Sequence, residues 1–141
     1  VAVTPALAAT MQKGDHGGTY AGNPLACAAV EAVLQAFEDG KVLENGQRRG
    51  RQAVAFLQEL KGSYPQQIVE VRGRGLLLGC EMASEALAAA VVEHCFGAGV
   101  LLNRVQGKVI RLFPALTIGS DELEQGLNAL ATALAQISPP A

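Results

Sequence analysis

Aromatic residues and cysteines are scarce in this chain. It has no tryptophan, two tyrosines, four phenylalanines and three cysteines in 141 residues. Cys27, Cys80 and Cys95 are far apart, form no CxxC motif and have no paired histidine, so the sequence indicates neither a metal site nor a disulfide framework. An odd number of cysteines inside apolar segments is typical of a reducing compartment, and we expect a cytoplasmic protein.

Long apolar runs and an excess of basic residues are also missing. No apolar stretch is long enough to cross a bilayer, and the first residues lack the basic region of a signal peptide, so we expect no membrane partner. The formal net charge of -2 and the pI near 5.7 argue against nucleic acid as the main partner. Because the chain starts at Val1 without a methionine, we expect that an upstream segment has been removed.

The residues that are present favour a folded domain with helices and strands. Half of them are apolar and only 17% are charged, which argues against disorder. After a glycine-rich loop, Asn23 and Pro24 predict a helix start and Gly40 its end. The later pattern predicts a helix over 41–60, strands at 67–72 and 76–82, a helix capped by Ser84, strands at 100–102 and 109–113, and a last helix capped by Ser120. This order predicts an α+β fold, a small and mostly antiparallel sheet with helices on one face.

Arg111 is the main candidate for a binding residue. Two apolar residues precede it and two follow it, so a strand over 109–113 would seem to be buried on both faces. A guanidinium keeps its proton, and burying it without a partner is costly. Either a carboxylate of the protein or the anionic group of a ligand must therefore pair with it, and the spacing leaves both alternatives open.

The glycine-rich segment 14–22 is the second candidate. Thr19 supplies a hydroxyl, the glycines expose backbone amides, and a helix begins just after the segment, which together suit a phosphate group. A simple turn explains the same glycines. His16 could transfer protons or only hold the turn. The basic residues Arg48, Arg49 and Arg51 are expected to form a solvated helix face.

Three ordered motifs add what spacing cannot. Residues 16–26, H-G-G-T-Y-A-G-N-P-L-A, resemble the H-G-[ST]-T-[FY]-G-G-N-P-L-A signature of class III aminotransferases. Residues 71–79, V-R-G-R-G-L-L-L-G, resemble the strand pair V-R-G-x-G-L-[ML]-x-G, and residues 109–118, V-I-R-L-F-P-A-L-T-I, resemble V-[IL]-R-[LF]-x-P-[PA]-L-[TN]-[IV]. The match is closest to the acetylornithine aminotransferase branch of this family of fold type I enzymes.

The resemblance implies a cofactor, pyridoxal 5'-phosphate, and a role for each candidate. Thr19 would bind the cofactor phosphate across a homodimer interface, and Arg111 would bind the α-carboxylate of the amino acid and of 2-oxoglutarate. Gly18 replaces the usual Ser or Thr, and Ala21 replaces the first Gly of the signature. The Schiff-base lysine of the T-x-A-K-G motif is absent, so the resemblance assigns no catalytic residue to this chain. It assigns no metal ligand either.

The family pattern also implies a division of the chain. Residues 1–22 would be a loop from the end of the large domain, 23–61 linking helices, 62–138 the C-terminal small domain and 139–141 a tail. The implied function is the C-terminal part of an enzyme that moves an amino group from N-acetylornithine, or a related ω-amino donor, to 2-oxoglutarate in arginine or lysine biosynthesis. The isolated chain is expected to be inactive. Two alternatives are a non-catalytic carboxylate- or partner-binding module and a truncated pseudoenzyme that modulates a full-length homologue.

Overall fold

The computed structural model describes residues 3–15 and 17–137 and divides the chain into two compact units, Val1–Gly40 and Lys41–Ala141. Two sequence predictions, the role of His16 and the tail 139–141, lie outside the described residues. The segment 23–61, predicted as linking helices, falls on both sides of the division. Each unit is described by itself below.

The first unit contains a short helix, α1 (Pro5–Ala8), and a long helix, α2 (Pro24–Asp39). The caps of α2 are those that the sequence predicts: the Asn23 side chain accepts a hydrogen bond from the backbone N–H of Ala26 at 2.9 Å, and Gly40 ends the helix. Helix α1 lies in the segment that was predicted as a loop. The prediction missed this helix because a single turn is too short to show a helical period of apolar residues. No residue of α2 is buried.

The second unit is an antiparallel sheet with helices packed on one face, which confirms the predicted α+β class. The elements are α3 (Val42–Ser63), β1 (Ile68–Arg74), β2 (Leu77–Met82), α4 (Glu85–Gly97), β3 (Asn103–Val105), β4 (Val109–Leu112) and α5 (Ser120–Gln136). The strand order is β1-β2-β4-β3, and every neighbouring pair is antiparallel. We call the face packed on the helices the inner face and the opposite one the outer face.

The core lies between the inner face and helices α3, α4 and α5. Alternate strand residues enter it, as the period of two requires. Its fully buried side chains include Leu57, Ile68, Leu78, Met82, Val91, Ile110, Leu127, Leu130, Leu134, Cys80 and Cys95. Burial raises the pKa of Cys80 to about 12 and also raises that of Cys95, so both behave as small apolar residues.

The position of β3 corrects a sequence prediction. The strand predicted at 100–102 lies instead at Asn103–Val105, where it pairs with β4 through Asn103↔Arg111 and Val105↔Val109. A three-residue turn, 106–108, joins the two strands, and both Gln106 and Gly107 have positive φ. The turn fixes the register. The apolar residues Val100 and Leu102 pack against the core without pairing, which is why they looked like a strand.

The start of α5 corrects another prediction. Gly119, not Ser120, is the N-cap, and the Glu122 carboxylate accepts a hydrogen bond from the Gly119 N–H at 2.9 Å. The Ser120 hydroxyl instead accepts from Arg49 at 2.9 Å. Arg49 also donates to Gln52 and is half-buried, so the prediction of a solvated basic face is wrong for this residue.

Candidate functional site

Arg111 lies on the outer face of β4 and is exposed. The prediction that both faces of this strand are buried was wrong: Ile110 and Leu112 enter the core, whereas Arg111 and Phe113 on the outer face are exposed. Val109 is the buried exception on the outer face. The prediction failed because apolar residues lie on both faces of β4, although the helices cover only the inner face.

Within residues 3–15 and 17–137, no carboxylate pairs with Arg111. The ion pairs of this part of the chain join Arg72 to Glu70 (2.7 Å) and to Glu81 (2.6 Å), and Lys108 to Glu81 (2.8 Å). The described residues therefore give no support to a structural ion pair of Arg111. Its guanidinium remains available to an anion from solution.

The cross-strand register places specific neighbours beside Arg111. Gly79 of β2 and Asn103 of β3 are its partners on either side, and Arg72 of β1 is the partner of Gly79. Paired residues of antiparallel strands project from the same face, so Arg72, Gly79, Arg111 and Asn103 form one row across the outer face, which we call the Arg111 row. The row contains two arginines and no acid.

The two arginines of the row differ in their electrostatic surroundings. Hydrogen bonds from Lys108 and Arg72 lower the pKa of Glu81, and the bond to Glu81 raises that of Arg72. Arg72 is thus held by two carboxylates, while Arg111 has none among the described residues. Arg111 is therefore the arginine of this row that is free to pair with an incoming carboxylate.

A cavity of about 330 Å³ opens next to this position. Arg111, Phe113 and Pro114 of the β4 end are among its lining residues, and most of the others are apolar side chains of the sheet, the 99–102 segment and α5. Arg111 and Glu122 are its only charged lining residues. The lining therefore combines apolar walls with one positive and one negative side chain.

Thr19 lies in the first unit, in a turn that joins the Ala21 N–H to the Gly18 carbonyl at 3.2 Å. The Asn23 side chain donates to the Tyr20 carbonyl at 2.7 Å and so ties the turn to the start of α2. Thr19 is exposed, and its hydroxyl bonds to none of the described residues. The Ala26 N–H of α2 is already bonded to Asn23, so the helix start offers a phosphate fewer donors than the sequence suggested.

Sequence reasoning missed Asn103 and Gly79. Both emerge only from the register, and the misplaced strand at 100–102 put Asn103 outside the sheet. The usable signal was Gly107: counting back from a turn centred there pairs 103–105 with 109–111.

Comparison with known proteins gives the family. The model of the class III aminotransferases matches residues 1–134. Acetylornithine aminotransferase of Thermosynechococcus vestitus is 42% identical over 132 residues, which are 92% of this chain and 32% of that protein. The crystal structure of acetylornithine aminotransferase from Elizabethkingia anophelis superposes on this chain with a TM-score of 0.81 at 28% identity. The superposition covers 90% of this chain and 32% of the crystallised one. Ornithine aminotransferase from Toxoplasma gondii gives a TM-score of 0.79 at 32% identity, over 89% of this chain and 30% of the other.

The chain belongs to the class III aminotransferase family, whose members are pyridoxal-phosphate enzymes. It spans about a third of the length of the curated relatives that it matches. Among the described residues, no helix is long and apolar enough to cross a membrane, and no group of His, Cys, Asp and Glu could hold a metal ion.

The described residues fit the cofactor in one respect. Thr19 offers an exposed and unbonded hydroxyl in a glycine-rich turn, which suits a phosphate oxygen. The four lysines, Lys13, Lys41, Lys61 and Lys108, are solvent-accessible or ion-paired, and none lies in the buried apolar pocket that a nucleophilic lysine needs. The described residues therefore offer a phosphate group one free hydroxyl, and none of the four lysines has the surroundings of a nucleophile.

Proposed function

We propose that this chain is the C-terminal part of a cytoplasmic, homodimeric aminotransferase that moves an amino group from N-acetylornithine, or a related ω-amino donor, to 2-oxoglutarate in arginine or lysine biosynthesis. The observation that carries the proposal is Arg111, an exposed arginine without a protein carboxylate, within the motif of residues 109–118 that the family shares. The identity of 42% to an acetylornithine aminotransferase supports the choice of donor.

Arg111 would bind the carboxylate of the amino acid and of the oxo acid in turn. A guanidinium presents two parallel N–H groups to the two oxygens of a carboxylate, which fixes the orientation of the bound molecule as well as its position.

The hydroxyl of Thr19 would donate a hydrogen bond to the phosphate of the cofactor bound in the other subunit. Pyridoxal phosphate, when bound, supplies the ring that accepts electrons as the amino acid loses its Cα proton. This chain would contribute substrate binding and part of the phosphate site, and the isolated chain would have no transaminase activity.

The proposal includes a division of the chain. Residues 1–22 would be the last loop of a large domain, 23–61 linking helices, 62–138 the small domain and 139–141 its tail. The exposed face of α2 agrees with a linking element, since every residue of this helix remains accessible in the chain alone.

Transamination assays on the complete product of the gene and on the 141-residue chain test this function. We expect N-acetylornithine and 2-oxoglutarate to react with the gene product and not with the chain. Arg111→Lys should lower kcat/KM by about 10- to 100-fold, because bidentate binding is lost. Arg51→Lys, at an exposed position of α3, is the matched control and should change nothing.

Two results would contradict the proposal. Turnover by the isolated chain would refute its inactivity. An inactive gene product that binds carboxylates through Arg111 would instead favour the non-catalytic carboxylate-binding module.

A further inference from the structure

The Arg111 row contains a side chain to which neither the family pattern nor the motifs assign a role. Asn103 is the first residue of β3 and the direct cross-strand partner of Arg111. Side chains in such pairs lie with Cβ atoms about 4.5–5.5 Å apart on the same face. The side chains of Asn103 and Arg111 therefore start from neighbouring positions on the outer face.

The Asn103 side chain is free to bind a ligand. It is exposed and makes no hydrogen bond to any of the described residues, including Arg111. Its neighbour in sequence, Arg104, is engaged differently and donates to the Gly107 carbonyl at 2.8 Å. Asn103 thus offers two N–H donors next to a cation that also has no partner among the described residues.

On the other side of Arg111, residue 79 is a glycine, and the space that its side chain would take is bounded by Val109 and Arg72. A Cβ atom there would lie 3.3 Å from Val109 Cγ1 and 3.9 Å from Arg72 Cγ. Arg72 is itself paired with Glu70 and Glu81. Among the four residues of the row, Asn103 is therefore the free polar side chain beside Arg111.

We propose that Asn103 is a second carboxylate-binding residue, which donates a hydrogen bond from its side-chain amide to the carboxylate held by Arg111. The inference rests on the proposed function of Arg111 and deepens it. A neutral amide adds a donor without introducing a charge that competes for Arg111. The two residues, on adjacent strands, would bind one carboxylate together. Arg111 would attract it by charge, and the hydrogen bond from Asn103 would fix its orientation.

Titration of the 141-residue chain with 2-oxoglutarate tests the proposal. The signals to follow by NMR are the Nε–H of Arg111 and the side-chain amide of Asn103, at constant ionic strength. We expect both signals to shift with one dissociation constant. Asn103→Ala should weaken binding about three- to tenfold, as the loss of one hydrogen bond of ordinary strength at an exposed position implies.

Asn103→Asp is the sharper variant because it keeps the shape of the side chain. An aspartate there would pair with Arg111 and should weaken binding more than alanine does. Asn128→Ala and Asn128→Asp, at an exposed position of α5, control for the loss of an amide and for the added charge, and should bind like the wild type. Unchanged backbone amide spectra identify the variants that remain folded.

The outcomes separate the two proposals. If Arg111→Ala abolishes binding but both Asn103 variants bind like the wild type, the inference about Asn103 is overturned and the role of Arg111 stands. If the wild type shows no saturable shift, or if Arg111→Ala binds as well as the wild type, both are overturned.

Discussion

Gly50 shows how a single residue can control a contact between two elements. A Cβ at this position of α3 would lie 2.9 Å from the Cα of Gly75 and closer still to its carbonyl group, in the turn between β1 and β2. Backbone atoms cannot move aside as a flexible side chain can. The glycine therefore allows the helix and the turn to touch.

We predict that Gly50→Ala lowers the free energy of unfolding by about 1–3 kcal/mol, the usual effect of overpacking. Gly62→Ala is the matched control in the same helix, because a Cβ there meets nothing within 4 Å. It should stabilise the chain by up to about 1 kcal/mol through helix propensity. Urea denaturation followed by circular dichroism measures both, and equal midpoints for the two variants would contradict the prediction.

Glu81 links the pH to the stability of the sheet. Hydrogen bonds from Lys108 and Arg72 hold its pKa below the ordinary value, so its stabilising effect is present above that ordinary value and is lost as the pH falls through the folded pKa. We predict that the melting temperature of the wild type exceeds that of Glu81→Gln at neutral pH, and that the difference shrinks from about pH 5 to about pH 3.

Salt and a second variant control this pH experiment. Because Arg72 and Lys108 are exposed, added salt should reduce the difference at neutral pH. Glu59→Gln, at an exposed position of α3 without an ion pair among the described residues, should follow the wild type at every pH. A constant difference between wild type and Glu81→Gln across the pH range would rule out the assigned cause.

At the scale of elements, the long helices were predictable, whereas the one-turn helix α1 and the short strand β3 were not. The ends of α2 and the start of α4 follow from local chemistry, since the Asn23 and Ser84 side chains cap their own helices. Strand β3 has only three residues and takes its position from the turn that follows it. Apolar content alone therefore placed it over the unpaired residues Val100 and Leu102.

That turn contains a strained position that can be relieved. Gln106 has a φ of 50°, a conformation that costs an ordinary side chain about 1–2 kcal/mol and asparagine less. We predict that Gln106→Asn raises the free energy of unfolding by about 0.5 kcal/mol. Gln58→Asn, at an exposed position inside α3, should instead lower it slightly. Paired urea titrations distinguish the two, and a loss of stability in Gln106→Asn would contradict the strain.

At the scale of the whole molecule, α2 leaves a large apolar surface accessible. Leu25, Val30, Val33 and Leu34 are each more than half exposed. Patches of this kind promote association in water. We predict dimers or larger oligomers in sedimentation velocity at micromolar concentration, and a shift towards monomer for the double variant Val30→Glu and Leu34→Glu.

A second exposed leucine serves as the control for sedimentation. Leu43, on α3 in the second unit, is 57% exposed, like Leu34 of α2, and its replacement by Glu adds the same charge outside α2. Leu43→Glu should leave the oligomers intact. A wild-type chain that sediments as a single monomeric species would show that α2 does not drive association.

The candidate site could be predicted only in part from the sequence. Arg111 was recognisable because a charge within an apolar strand is unusual, but its exposure depends on which face of the sheet the helices cover. Gly79 carries no local signal, since its importance comes from cross-strand pairing with a residue far along the chain. Asn103 lies in the same hairpin as Arg111, and the turn at Gly107 was the one signal for it. Local patterns thus located the charged group, and tertiary pairing supplied its neighbours.

The three cysteines differ in their accessibility to thiol reagents, so labelling of the native thiols can report on unfolding. Cys27 is exposed, whereas Cys80 and Cys95 are buried with raised pKa values, and reaction requires the accessible thiolate. A maleimide dye should therefore attach to one position of the native chain without any engineered cysteine. The rate at which Cys80 and Cys95 also become labelled then measures how fast the core of the second unit opens.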